Sequence, residues 1–177
     1  MTDINDLYRQ ATHEVFRLET RQEYDVPAES EQLRAFNEGR ALPRDPHVEQ
    51  GMTVIKKATE AGVCIHRVHV LDLPLTPYLR FELAAYAADN IRSGEDVRIA
   101  VRARHPSLAG LAEDFVLFDG DHDQAALVWM RYDPQGRITS RDYSTSPADI
   151  ARCRSERDLA LAHSVLLTEF TAAAEAG

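Results

Sequence analysis

Long apolar runs are missing from this chain, and a bilayer span takes about 20 consecutive apolar residues, so no transmembrane helix is expected. The opening MTDINDLYRQ has neither the basic nor the apolar region of a secretory leader, and the expected location is the cytoplasm. Cysteine is scarce: Cys64 and Cys153 stand alone, without C-x-x-C spacing, which excludes a disulfide scaffold and fits a reducing compartment. Cations are outnumbered, 20 Lys and Arg against 29 Asp and Glu, for a net charge of −9. Phosphate-backbone contacts need clustered cations, so no direct nucleic-acid binding is expected, and anionic membranes would repel the chain. The glycine fingerprints of P-loop and dinucleotide-binding proteins are absent, as is the G-x-S-x-G elbow of serine hydrolases. Without H-x-x-x-H, Cys64 and His66 do not make a zinc motif. Neither a cofactor nor a metal is expected.

What is present is an ordinary globular composition over 177 residues, 44% hydrophobic and 28% charged, which suits a single domain. The chain is organised around the stretch from Gly62 to Val101. Val63 to Leu71 is apolar or β-branched at almost every step, as in a strand covered on both faces. Thr76-Pro77 then supplies an N-cap and a first-turn proline, and Leu79, Leu83 and Tyr86 follow at helical spacing. Ser93-Gly94 ends that helix, and Val97, Ile99 and Val101 alternate as a second strand, parallel to the first.

Upstream, Ile4, Leu7, Tyr8, Ala11, Val15 and Leu18 form a stripe that predicts one helix over Asp3–Thr20. Shorter helices are expected over Glu29–Glu38 and Val48–Ala61, with Pro43 and Pro46 marking a loop between them. Downstream, Phe115–Phe118 reads as a short buried strand. Ala125–Tyr132 and Ile138–Tyr143 flank the turn Asp133-Pro134-Gln135-Gly136 as an antiparallel hairpin. Ser146-Pro147 opens a final helix expected to run to about Ala173. The fold class is therefore α/β: a mixed, mostly parallel sheet with an antiparallel hairpin and helices on both faces. It comprises a helical N-terminal segment, 1–47, and an α/β core, 48–177.

The polar cluster with the best claim to function is Arg67, His69, Tyr78, Arg80, Glu82 and Arg98. Ligands in open parallel sheets sit beyond the carboxyl ends of strands, which Arg67 and His69 approach. Tyr78, Arg80 and Glu82 occupy the first turns of the next helix, where free N–H groups favour anions. A small anionic ligand, such as a phosphate or nucleotide, follows from that placement. The structural alternative is an internal ion-pair set, with Arg80 or Arg98 meeting Glu82, Glu95 or Asp114, and it is the favoured one because buried charges need partners whatever the function. Glu113, Asp114, Asp119, Asp121, His122 and Asp123 suit a solvated rim better than a metal site, since FDGDHDQ lacks the EF-hand spacing. Trp129, Tyr132 and Tyr143 are expected to pack across the hairpin rather than form a partner patch.

Two resemblances extend this reading. Ala61-Gly62-Val63 and Gly94-Glu95-Asp96-Val97-Arg98, followed by Glu113–Gly120, resemble the strand phrases of phospholipase D-like domains, whose third phrase is H-x-K-x-x-x-x-D-G. With Asp119 at the motif's aspartate, the lysine position is Asp114 and the histidine position is Ala112. The resemblance implies a phospholipase D-like half-domain without its nucleophile, and half-domains of that family pair, which implies a homodimer. The strings RLETRQEYDVPAESEQLRAF, RVHVLDLPLTPYLRFELAAY, GEDVRI and DFVLFD are similar to those of an actinobacterial family encoded near XRE-type helix-turn-helix regulators, to which no activity is attached.

The expected function is a non-catalytic regulatory or protein-interaction module, acting with a helix-turn-helix regulator and sensing a small anionic ligand. The enzyme alternative is a phosphodiesterase or nuclease with a rearranged site, using His69 as base, Glu82 as acid and the arginines as a phosphate clamp. A toxin–antitoxin component is the third reading.

Overall fold

The structure, a computed structural model, describes residues 3–175. Asp3 caps α1 (Ile4–Gln10) by accepting from the Asn5 amide. The single helix expected over Asp3–Thr20 does not form: the backbone turns extended at Ala11 and Glu14–Glu19 becomes strand β1. Val15, Phe16 and Leu18 are fully buried, on both faces of that strand, so no alternation betrays it. Val15 and Leu18 merely continue the helical stripe of α1 by spacing. The N-terminal 47 residues are accordingly not a helical appendage, since they supply a central strand. The helices α2 (Ser30–Asn37) and α3 (Pro46–Glu60) lie within two residues of their expected bounds.

Strand β2 (Cys64–Leu71) leads into α4 (Pro77–Ala85), capped as expected by Thr76, whose hydroxyl accepts from the Leu79 amide at 3.1 Å. A π-helical turn, Tyr86–Asn90, continues α4 before β3 (Asp96–Val101). Cys64, expected inside a buried strand, is exposed at the start of β2. Then come β4 (Asp114–Phe118) and the hairpin β5 (Ala126–Tyr132) and β6 (Ile138–Ser144). Helix α5 (Pro147–Ala162) ends eleven residues short of the expected Ala173. Val165–Leu166 pairs with β3 as β7, and α6 (Leu167–Glu175) follows.

The seven strands form one mixed sheet in the order β6-β5-β4-β1-β2-β3-β7. Mixed pairing with helices on both faces is as expected, but the balance differs. Only β1–β2 and β2–β3 are parallel, and the four outer pairings are antiparallel. The unforeseen β7 adds an antiparallel neighbour to β3, β1 adds one pairing of each kind, and β4 runs antiparallel to both β1 and β5. One sheet face packs Phe16, Leu18, Val68, Phe115 and Leu127 against Ile150, Cys153 and Ala160 of α5. On the other face, α1 and α3 cover Val15, Ile65 and Val116, while α4 and α6 cover Val97, Ile99 and Val101. Between those two apolar patches the central strands carry polar side chains. No described helix is long and apolar enough to cross a membrane.

Candidate functional site

Parallel register sets Arg17 of β1 beside Arg67 of β2, and Glu19 beside His69, all on the face under α4. Two adjacent guanidinium groups repel unless a carboxylate bridges them. Glu19 is that bridge: Arg17 Nη2 lies 2.7 Å from its Oε1, and Arg67 Nη1 donates to Oε1 at 3.0 Å and Oε2 at 2.8 Å. Arg67 Nε donates to Glu95 Oε1 at 2.9 Å, and Asn90 holds the other Glu95 oxygen at 2.5 Å. The Tyr86 hydroxyl donates to Glu19 Oε2 at 2.6 Å, and its ring lies 4.8 Å under the Arg67 guanidinium. Burial works against the charge on Glu19, but Arg17 and Arg67 outweigh it and hold the carboxyl well below the ordinary range.

His69 is completely buried. Its Nε2 faces the Arg21 carbonyl at 2.7 Å, an oxygen that only accepts, so Nε2 carries a proton and Nδ1 presents a lone pair. Opposite Nδ1, at 3.4 Å, stands Glu82 Oε2, a buried atom without a hydrogen-bond donor. Burial, then the charge of Glu19, push the Glu82 carboxyl far above its usual pKa, and burial pushes His69 down. A carboxyl raised in the folded state stabilises the fold below its unfolded pKa and loses that contribution as pH climbs through the folded value. In chelator, Glu82→Gln should therefore gain stability over the parent chain from about pH 4.3 upward, by at most about 1.4 kcal/mol per pH unit. Urea denaturation of both proteins from pH 4 to 9 measures this, and a difference that does not change with pH would refute it.

Above this floor is a chamber of about 380 Å³, walled by α1, α3 and α4 and by the Tyr24–Glu29 segment. Ligand pockets start at about that size. Tyr24, Tyr78 and Phe81 pack as one aromatic group on its side, and Tyr78 donates to Glu29 at 2.9 Å. Arg17 reaches the chamber with its side chain about a quarter exposed, and its Nε has no hydrogen-bond partner.

Of the residues expected to act together, Arg67, His69, Tyr78 and Glu82 converge here. Arg80 does not: it is exposed and donates to the Leu75 carbonyl of its own turn. Arg98 lies on the opposite sheet face, where its Nε donates to Ser164 at 3.0 Å and Nη1 approaches Asp96 at 3.5 Å. The ion-pair set expected around Arg80 or Arg98 is built on Arg67 instead, with Glu19 and Glu95 as acids. Asp114, expected to meet one of those arginines, accepts from the Thr20 amide and hydroxyl, each at 2.8 Å, and from Tyr24 at 2.5 Å. Sequence reading missed Arg17, Glu19 and Tyr24 as site residues. The usable signal is the repeated spacing Arg17-x-Glu19 and Arg67-x-His69, which shares a face only once residues 14–19 are read as a strand.

The acidic stretch does not gather. Glu113 pairs with Arg131 and Arg152, Asp121 with Arg154 and Arg157, and His122 stacks on His13 at 3.7 Å. Trp129 is buried edge-on to Phe115, and Tyr132 packs on Tyr24, whereas Tyr143 is exposed. Beyond the carboxyl ends of β1, β2 and β3 lies a second, shallow groove bordered by Arg21, Thr76, Arg102 and Ala112. Arg102 is spent on the backbone there, donating to the Leu108 and Leu111 carbonyls at 2.9 Å. The groove offers no histidine or lysine, and Asp114 is sealed away from it.

The sequence profile of a domain of unknown function, DUF6879, matches residues 2–172. The chain belongs to that family. No curated protein matches it. The DUF6879 chain is similar in structure to Nuc of Salmonella typhimurium, a phospholipase D family member, with a TM-score of 0.51 and 11% identity over 92% of this chain and 87% of that one. TrmBL2, an archaeal chromatin protein with a novel mode of DNA binding, gives a TM-score of 0.47 and 11% identity over 92% of this chain. The chain spans about half of that protein, 48% of its length. The Nuc comparison supports the phospholipase D-like fold and, at that identity, the fold alone.

Proposed function

We propose that this DUF6879 chain is a non-hydrolytic ligand-responsive module that binds a small anionic molecule between its sheet and its helical layer and acts through a protein partner. The chamber over Glu19, Arg67 and Glu82 carries the reading, because Arg17 lines it with a guanidinium side chain about a quarter exposed, whose buried Nε meets no acceptor. An anionic group of the ligand would take up Arg17, and the aromatic side formed by Tyr24, Tyr78 and Phe81 would receive its apolar part. Ala112 and Asp114 at the histidine and lysine positions leave the phosphodiesterase alternative without an attacking group, and His69, its candidate base, is enclosed and reaches no substrate. The partner we propose is a helix-turn-helix regulator, on the strength of the resemblance to families encoded beside such proteins.

The test is thermal and chemical denaturation of the full chain, in chelator, against inorganic phosphate, nucleotides and small carboxylates. A ligand present at one hundred times its dissociation constant should add about 2.7 kcal/mol, and Arg17→Met should abolish the gain. A panel without any stabilising member, or a gain that survives Arg17→Met, would overturn the reading.

A further inference from the structure

The floor of the chamber carries an arrangement that hydrogen bonding leaves unfinished. Glu82 is 92% buried, and its Oε2 has no hydrogen-bond partner; His69 Nδ1 lies 3.4 Å from it. The proton on Nε2 is committed to the Arg21 carbonyl, so with Glu82 ionised a lone pair faces a lone pair across that gap. The Tyr86 hydroxyl lies 3.3 Å from Nδ1, but its hydrogen is directed to Glu19 Oε2 at 2.6 Å. A third donor, a second carboxylate oxygen, is at hand, since ligand atoms of Glu19, His69 and Glu82 all lie within 4.8 Å of one another.

We infer that Glu19, His69 and Glu82 bind a divalent transition-metal ion at the base of the chamber. Two donors held at about 2.0–2.2 Å from one tetrahedral ion sit roughly 3.3–3.6 Å apart, which is the spacing between Nδ1 and Oε2. One imidazole with two carboxylates suits Zn²⁺ or Mn²⁺ and disfavours Mg²⁺, which prefers oxygen alone. The outer contacts are those of a ligating set: a backbone carbonyl orients His69 through its other nitrogen, and a phenol orients Glu19. This site goes beyond the proposed ligand function and does not depend on it, because the probe is the metal alone.

Equilibrium dialysis of the full chain against Zn²⁺, with metal counted by mass spectrometry, should find one ion per chain that a hundredfold excess of Mg²⁺ does not displace. Glu82→Gln should weaken it at least a hundredfold, whereas His66→Gln and His122→Gln, at a half-buried and an exposed histidine outside this cluster, should leave it intact. Co²⁺ should give one strongly shifted, exchange-protected imidazole N–H resonance, that of His69 Nε2, retained in both histidine variants. The absence of stoichiometric Zn²⁺, equal affinity in Glu82→Gln, or loss of binding in His66→Gln or His122→Gln would overturn the site. So would a Co²⁺ complex without the protected resonance, which also covers a Glu82→Gln protein that fails to fold.

Discussion

Arg67→Met should destabilise the chain by about 3–5 kcal/mol, the range for breaking a buried ion pair from one side. Arg67 is 5% exposed and is shared between Glu19 and Glu95, both almost completely buried. Burial opposes its charge, but those two carboxylates outweigh burial and hold the guanidinium protonated. Removing it leaves Glu95 with Asn90 alone and leaves Glu19 dependent on Arg17 and Tyr86. It also removes the cation stacked on the Tyr86 ring. A total stability of about 5–15 kcal/mol is usual for a domain, so a loss of this size brings the fold near its limit. Arg98→Met is the control, because Arg98 is half-buried and its acid, Asp96, is half-buried too; it should lose less than about 1 kcal/mol. Equal losses in the two variants, by guanidinium denaturation, would mean that the central ion pairs contribute no more to stability than the half-buried pair of Arg98.

Asp119→Gly should lose about 2–4 kcal/mol, by a different mechanism. Asp119 follows β4 with φ +48°, a left-handed conformation that Asp tolerates and Gly adopts freely, so the substitution leaves the backbone unstrained. What it removes is a carboxylate that accepts from the amides of Thr12, His13 and Glu14, at 2.9, 2.8 and 2.9 Å, and from the Thr12 hydroxyl at 3.0 Å. Those amides precede and begin β1, and Asp119 is what joins them to the end of β4. Hydrogen bonds to a charged acceptor contribute about 1.5–3 kcal/mol each and are not additive, which sets the range. Burial alone would raise this carboxyl, but the Glu14, Thr12 and His13 amides and the Thr12 hydroxyl outweigh it and lower it. A depressed carboxyl stabilises the fold above its unfolded pKa, and that contribution disappears as pH falls through the folded value. The gap between wild type and Asp119→Gly should therefore close in acid below about pH 4. A loss that is the same at pH 3 and pH 7 would assign the effect to the backbone instead of the carboxylate. Asp119→Asn, which keeps one accepting oxygen, should fall between the two.

Legibility in the sequence follows burial and locality. The α4 cap, the parallel β2–β3 pair and the β5–β6 hairpin were readable because each rests on near-neighbour chemistry: Thr76-Pro77, Ser93-Gly94, and a Pro-Gln-Gly turn. Strand β1 was not, because a strand buried on both faces has no two-residue period and here followed a real helix whose stripe it continued. The short β7 was lost for a related reason, since Val165 and Leu166 pair through backbone groups with β3 and carry no side-chain signal of their own. Arg67, His69 and Glu82 were recognisable as charged groups in apolar surroundings. Arg80 and Arg98 stand close to them in sequence yet turn to other faces, because sequence proximity says nothing about which face of a helix or strand a side chain takes.

Local pattern was enough for the α/β class and for most helix and hairpin limits, because these depend on residue identity and short spacing. The partner of each buried charge, the chamber, and the meeting of Glu19, His69 and Glu82 came from folding alone. Those contacts join residues dozens of positions apart, and they exist because the register of β1 on β2 places Arg17 against Arg67 and Glu19 against His69.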